Sequence, residues 1–254
     1  MNDSNDIHNP RDRERSDLAQ PGGNSADNDQ PNIDDSNIDD SNIEDSNPAS
    51  SSSDASRLVD EPVEAGLIFD CDGTLADTMP LHFLAWQSTL NRYGIEFSED
   101  RFYSMAGQPT VFITQTLMRE QSVSGDAEAI ADEKERAFVD LLPQVQPIEP
   151  IVQIARHFRP SRRMGVGSGS CLDTVLQVLH HIGLEDFFDA VVAAEDVAGH
   201  KPEPDVFLEV ARRIQVDADQ CRVYEDADLG LEAASRAGMS SFDIRTVFTP
   251  RRMS

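Results

Sequence analysis

Residues 65–78 read AGLIFDCDGTLADT, an apolar run that breaks into two aspartates one residue apart and then a glycine. The run has the length and character of a buried strand, so Asp70 and Asp72 would stand at its carboxyl end. Repulsion and desolvation both oppose keeping two carboxylates ionised there. A cation or a reaction step would account for the pair, and so would a solvated turn.

Working outward from this stretch, four more short apolar runs follow in MGVG, DAVVAA, QCRVY and MSSFDI. Helical patterns lie between them: CLDTVLQVLHHIG ends on Gly183, DVFLEVARRI follows a proline, and LGLEAASRAG ends on Gly238. Strand and helix in alternation predict parallel strands joined by crossover helices, an α/β fold. Residues 80–147 break the rhythm, with helices predicted around FLAWQSTLNRYG, VFITQTLMRE and DAEAIADEKERAFVDLL and no strand. This reads as a helical insertion, a lid on the core. The expected division is an extension over residues 1–60, a core over 61–79 and 148–254, and a helical cap over 80–147.

The chain has 254 residues, with 21 basic against 47 acidic side chains and a net charge of -26. Such a balance opposes long-range attraction to nucleic acid or anionic membranes, so a phosphorylated ligand has to be captured by a local site. Residues 1–60 are dominated by Asp, Asn, Ser and Pro and read as a disordered low-complexity tail. The repeat NIDDSNIDDSNIEDSN within it lacks the central Gly and terminal Glu of an EF-hand loop. Cys71, Cys171 and Cys221 show no CxxC spacing, which suggests neither a zinc site nor a disulfide framework and favours a reducing compartment. The acidic start does not resemble a signal peptide and no apolar run reaches membrane-spanning length, so the expected location is the cytoplasm. A monomer is expected.

In an open parallel sheet, ligands collect at the carboxyl ends of the strands. At the first end, one carboxylate can attack phosphorus while another, two residues on, donates and then removes a proton. Gly73 would let the backbone turn closely around a phosphate. The second end, VGSGS, offers Ser168 and approachable amides around Gly169, though Gly and Ser also make ordinary turns. After the third, Lys201 in GHKPEPD is either a charge-neutralising group or an exposed loop lysine. The fourth, YEDADLG, places Glu225, Asp226 and Asp228 before a helix, where they suit a hard cation or simply the helix N-terminus.

Together, DCDGTLADT, VGSGS, Lys201 in HKPEPD and YEDADLGLEAASRAGM resemble, in order and separation, the four motifs of haloacid dehalogenase-like (HAD) phosphohydrolases. The likeness spans residues 63–245. It implies a Rossmann-like core with a parallel central sheet and a small helical (C1-type) cap inserted after the first strand. LIFDCDGTLADTMPLHFLAW and HKPEPDVFL are most similar to the group containing beta-phosphoglucomutase and the phosphatases of fructose 1-phosphate and 6-phosphogluconate. The resemblance implies that Asp70 is the nucleophile and Asp72 the general acid and base. It implies Mg2+ held by Asp70, the Asp72 carbonyl and Asp226 with Glu225 close by, and phosphoryl oxygens held by Ser168 and Lys201. Thr74 and Gly169 would adjoin the phosphate.

Mutase and phosphatase part at the cap. The mutase has a Gly-Val-Ser-Arg-like segment whose arginine binds the second phosphate, whereas this chain reads AGQPT at 106–110, with Gly107 and Gln108 as candidate substrate contacts. Loss of that bidentate anchor favours hydrolysis over transfer. His82 matches a histidine of the mutase and either orients Asp72 or merely begins a helix at the hinge. Lys134 is a candidate substrate contact, with an i,i+4 surface charge as the expected role. Trp86 is expected in the cap core. The sequence thus predicts a Mg-dependent sugar-phosphate phosphatase, with a phosphoglucomutase and a catalytically silent phosphate-binding regulator as the alternatives.

Overall fold

Apolar runs that end in polar residues form the strands of a five-stranded parallel sheet, as expected. The computed structural model describes residues 62–253; the expected tail over 1–60 lies outside them. The strands are β1 (Gly66–Phe69), β2 (Arg163–Gly167), β3 (Ala190–Val192), β4 (Cys221–Glu225) and β5 (Ser240–Asp243), in the spatial order β3-β2-β1-β4-β5. β1 is central because all four of its residues are buried, which suits a strand covered on both faces. Phe69 registers with Val166 on one side and Tyr224 on the other. The loops after β2 and β4 are therefore delivered to either side of Asp70.

Two apolar clusters sandwich the sheet. One joins Leu67, Phe69, Val166 and Tyr224 to α5 (Glu149–Phe158) and α6 (Leu172–His181). The other joins Ile68 and Val223 to α7 (Asp205–Ile214) and α8 (Asp228–Arg236). Helix α7 buries Val206, Phe207, Val210, Ala211 and Ile214, the apolar stripe of its 3.6-residue period. Burying such side chains is worth roughly 1.5–3 kcal/mol each. Helix α5 escaped the sequence reading, although Glu149 and Pro150 in its first turn mark a helix start.

Between β1 and α5 lie four helices: α1 (Met79–Leu90), α2 (Glu99–Ser104), α3 (Thr110–Glu120) and α4 (Ala127–Val139). α1 begins four residues before the predicted segment because Pro80 is tolerated in a first helical turn. Ser98 caps α2 and Asp126 caps α4 through backbone N–H bonds. These helices share their own apolar cluster, with Phe83, Trp86, Leu90, Phe97, Phe102, Ile113 and Leu117 buried in it. Trp86 is core there, as expected. Among the described residues no helix is long and apolar enough to cross a membrane.

Candidate active site

The site is built at the carboxyl ends of β1, β2 and β4 and the loop after β3. Asp70 follows β1 directly and is 4% exposed. Lys201, from the loop after β3, places Nζ 2.6 Å from Asp70 Oδ1 and 2.8 Å from Glu225 Oε2. It is 1% exposed and lies 4.8 Å above the Phe207 ring. The exposed-loop alternative for this lysine is thereby excluded. Burial would lower its pKa, but the Asp70 and Glu225 charges overcome that and raise it.

Asp226 completes a buried cluster in which Asp70, Glu225 and Asp226 each offer a carboxylate oxygen, all within 4.8 Å of one another. Burial first, then repulsion from Glu225, push the Asp70 and Asp226 carboxyls above their usual range, against the opposing pull of Lys201. Three carboxylates facing one lysine leave a surplus of negative charge, and an all-oxygen donor set suits a hard cation such as Mg2+. The residues present therefore fit the metal. Glu225 is the most committed of the three: Oε2 takes Lys201, and Oε1 accepts the N–H groups of Asp226 and Ala227 at 3.2 and 3.0 Å. Thr74 Oγ1 donates to Asp226 Oδ1 at 3.3 Å. Gly73, at φ +84°, sits so close to Asp226 that a Cβ would meet its Oδ2 at 2.4 Å. Met79 Cγ would stand 2.8 Å from the same Cβ, so the turn is crowded by both side chains. Asp228, also in the acidic run, points elsewhere and pairs with Arg245 at 2.8 Å.

Asp72 turns the other way. Its Oδ1 accepts from Thr78 Oγ1 at 2.8 Å and lies 3.0 Å from His82 Nε2, while Oδ2 accepts from Ser170 Oγ at 2.6 Å. Burial alone would raise this carboxyl, yet the charge and hydrogen bond of His82, then Ser170 and Thr78, hold it well below the usual carboxylate range. Thr78 occupies the N-cap of α1 without capping it, its hydroxyl being spent on Asp72. Neither Thr78 nor Ser170 was singled out from the sequence, although both stand inside quoted motifs. Cys71, between the aspartates, packs into the core away from them.

The sequence expectation for Lys134 is overturned: it is 2% exposed rather than a surface charge. The EKER setting suggested solvent, but α4 folds against α1, and the ammonium lies 5.4 Å from the Trp86 ring and 5.5 Å from that of Phe138. Its Nζ is 2.8 Å from His82 Nδ1 and 3.0 Å from Glu135 Oε1. Glu135, held below its usual range against burial chiefly by the Lys134 charge, accepts from Thr110 and, at 3.3 Å, from Thr174 Oγ1 on α6. His82 stacks on Phe138, so the line Lys134, His82, Asp72 is fixed by packing as well as by hydrogen bonds.

Ser168 is buried, and its Oγ accepts the Ser170 N–H at 3.0 Å. Residues 106–110 close the other wall: Gln108 Nε2 donates to the Lys201 carbonyl at 3.4 Å, and Gly107 rests on the Lys201 side chain. The cleft between them is tight, with a cavity volume of about 50 Å3, and is walled by Trp86, Phe102, Met105 and Ile113 opposite Asp70, Asp72 and Asp226.

A sheet with an acidic first strand end, a buried lysine and an acidic fourth end is the arrangement of a phosphate-handling hydrolase. A family model described as haloacid dehalogenase-like hydrolase matches residues 67–244. The chain is 43% identical to the fructose-1-phosphate phosphatase YqaB of Escherichia coli (strain K12), over 71% of this chain and 96% of that protein. It is 31% identical to a phosphorylated carbohydrates phosphatase of Thermotoga maritima, over 68% of this chain and 81% of the other. The solved beta-phosphoglucomutase of Clostridium difficile superposes with a TM-score of 0.64 at 26% identity, covering 70% of this chain and 83% of that one. The chain belongs to the haloacid dehalogenase-like hydrolases. Within that family it is a phosphatase.

Proposed function

We propose that the protein removes phosphate from a small phosphorylated sugar through an aspartyl-phosphate on Asp70, and that helices α1–α4 act as the cap over this site. The observation that carries the reading is the division of labour between two aspartates two residues apart: Asp70 faces Lys201 and the acidic cluster, whereas Asp72 faces hydroxyls and His82. The names of the phosphatase relatives support the substrate class.

In this reading a phosphoryl group sits between Asp70 and Ser168, with Lys201 offsetting its charge. Asp70, the Asp72 main-chain carbonyl and Asp226 would hold Mg2+, which when bound would screen the repulsion between the Asp70 carboxylate and the phosphate. An Asp70 oxygen attacks phosphorus in line, and the P–O bond to the sugar breaks. The leaving sugar oxygen takes a proton from the Asp72 carboxyl, with His82 Nε2 as the hydrogen-bond partner that orients that carboxyl. The Asp72 carboxylate then removes a proton from the water that attacks phosphorus, which releases inorganic phosphate and restores Asp70. Ionised Asp72 with three donors around it suits this second step.

The test is release of inorganic phosphate from a panel of sugar phosphates, with Mg2+ and with EDTA. Release with Mg2+ and none with EDTA is expected, and Asp70→Asn abolishes it with the fold intact. Substantial activity in that variant would reject Asp70 as nucleophile, and a wild-type protein inert across the panel would favour a phosphate-binding regulator.

A further inference from the structure

The segment that follows β5 leaves the core and attaches to α2. Its near end is pinned by Arg245, which donates to both Asp243 oxygens at 2.8 and 2.7 Å and to Asp228 Oδ1 at 2.8 Å. Phe248 packs on the core cluster. Residues 248–250 and 252 then line a groove whose other walls are Asp226 and Ala227 from the core and Tyr103 and Ala106 from the helical segment. At the far end the Arg252 guanidinium lies 4.1 Å from the Tyr103 ring centroid, bonds Asp100, and stands 3.8 Å from Glu99 Oε2. The Met253 N–H donates to Glu99 Oε1 at 2.7 Å. Residues 245–253 lie beyond the stretch that the family model matches, so no general property of the family explains these contacts.

We propose that residues 247–253 form a strap that ties α2 to the core and biases the cap toward its closed position over Asp70. The reasoning is one of differential contact. Arg252 and Met253 reach Glu99, Asp100 and Tyr103 only while α2 stands beside the core, so their interactions favour the closed arrangement over any open one. The strap shares its groove with Asp226 and Ala106 at the edge of the cleft, and its bonds go to Glu99 and Asp100 rather than to the groups that handle the proton or the phosphoryl oxygens. Asp100 is exposed and Arg252 partly so, and ion pairs of that kind are individually weak. The bias is accordingly a few-fold shift in population rather than a lock. A cap held loosely closed keeps the cleft formed for substrate and still opens for phosphate and sugar to leave. This inference rests on the cap reading above.

The test compares wild type, Arg252→Ala, Arg252→Lys and a truncation lacking residues 250–254 in two measurements. Amide hydrogen exchange of the free enzyme needs no substrate: faster exchange across residues 99–106, with β1 and β4 unchanged, is expected in Arg252→Ala and in the truncation, with partial recovery in Arg252→Lys. Steady-state phosphate release then shows KM raised about two- to fivefold with kcat unchanged or higher. Unchanged exchange at 99–106 overturns the strap. Exchange that rises in β1 and β4 as well shows a merely structural segment and also overturns it, as does an unchanged KM. If no sugar phosphate is turned over at all, the functional reading fails while the exchange measurement still decides the strap.

Discussion

Gly169 and Gly107 meet backbone to backbone: a Cβ on Gly169 would stand 2.2 Å from the Gly107 carbonyl oxygen. One glycine follows β2 and the other precedes α3, so this contact sets how closely the 106–110 loop approaches Ser168. The obstructing atom belongs to the main chain and cannot rotate away. Gly169→Ala is therefore expected to push the loop back by a fraction of an ångström to an ångström. Misplacement on that scale costs on the order of 100-fold in turnover efficiency. The measurement is kcat/KM for phosphate release beside the thermal midpoint, with a large loss in the first and little change in the second.

Lys134 supports His82 from behind, and its removal has a distinct signature. Lys134→Met keeps the length of the side chain but leaves Glu135 without its cation and His82 Nδ1 without its partner. Stability is expected to fall by about 1–3 kcal/mol, the scale of a lost hydrogen bond to a charged group. The pH profile of kcat is expected to shift, because His82 contacts Asp72 directly. A variant with lowered stability and an unmoved pH profile would reduce Lys134 to a packing role.

The contrast between Lys134 and Lys201 shows what the sequence carries. The strand ends were legible because each apolar run stops where its chemistry begins, and parallel pairing about β1 brings those stops together: Asp70, Ser168 and Glu225 needed only the sheet order. Lys201 became legible only through the resemblance, since its place after the third run left an exposed loop lysine equally open. Lys134, Thr78 and Ser170 were not, since their positions depend on how α1 and α4 fold back over the sheet. A lysine in a charge run looks solvated until Trp86 and Phe138 are seen beneath it. Arg252 was hidden for the same reason: nothing local to its sequence points to Tyr103.

Removing the central cation should expose the electrostatic debt of the acidic cluster. Lys201→Met leaves Asp70, Glu225 and Asp226 buried without a cation, and breaking a buried pair costs about 3–5 kcal/mol. Mg2+ binding only the folded state raises stability by mass action. The thermal midpoint of the wild type is thus expected to rise with MgCl2 and fall with EDTA. The variant is expected to melt lower and to gain more from MgCl2 than the wild type does. A wild-type midpoint indifferent to Mg2+ would count against a metal at this cluster.

Asp189 gives a pH dependence away from the site. Its Oδ2 accepts the Met164 N–H at 2.8 Å at the start of β2, and Arg159 and Arg163 pair with it. Burial would raise this carboxyl, but the Met164 bond and the arginines outweigh it and lower the folded-state pKa. A depressed carboxyl contributes stability that is complete above its unfolded value of about 3.9. That contribution is lost as the pH falls through the lower folded value. Asp189→Asn is expected to melt lower than wild type at pH 7, with the gap narrowing steadily below about pH 4. A gap independent of pH would place the effect in shape rather than charge.

The division between hydrolysis and transfer is open to a single assay. A mutase has to hold a bisphosphate by its far phosphate while the sugar turns round. Residues 106–110, which close the cleft opposite Ser168, read AGQPT and bring no arginine. Gln108 is there, but its amide binds the Lys201 carbonyl, and an amide is a poor substitute for a bidentate guanidinium. Supplied with beta-glucose 1-phosphate and its 1,6-bisphosphate, the enzyme is expected to release inorganic phosphate and form little glucose 6-phosphate. Placing an arginine in this loop by Gln108→Arg is expected to slow release from a monophosphate and to tighten binding of the bisphosphate, read as a lowered KM for the latter. Glucose 6-phosphate as the main product of the wild type would overturn the phosphatase reading and show that another group anchors the second phosphate.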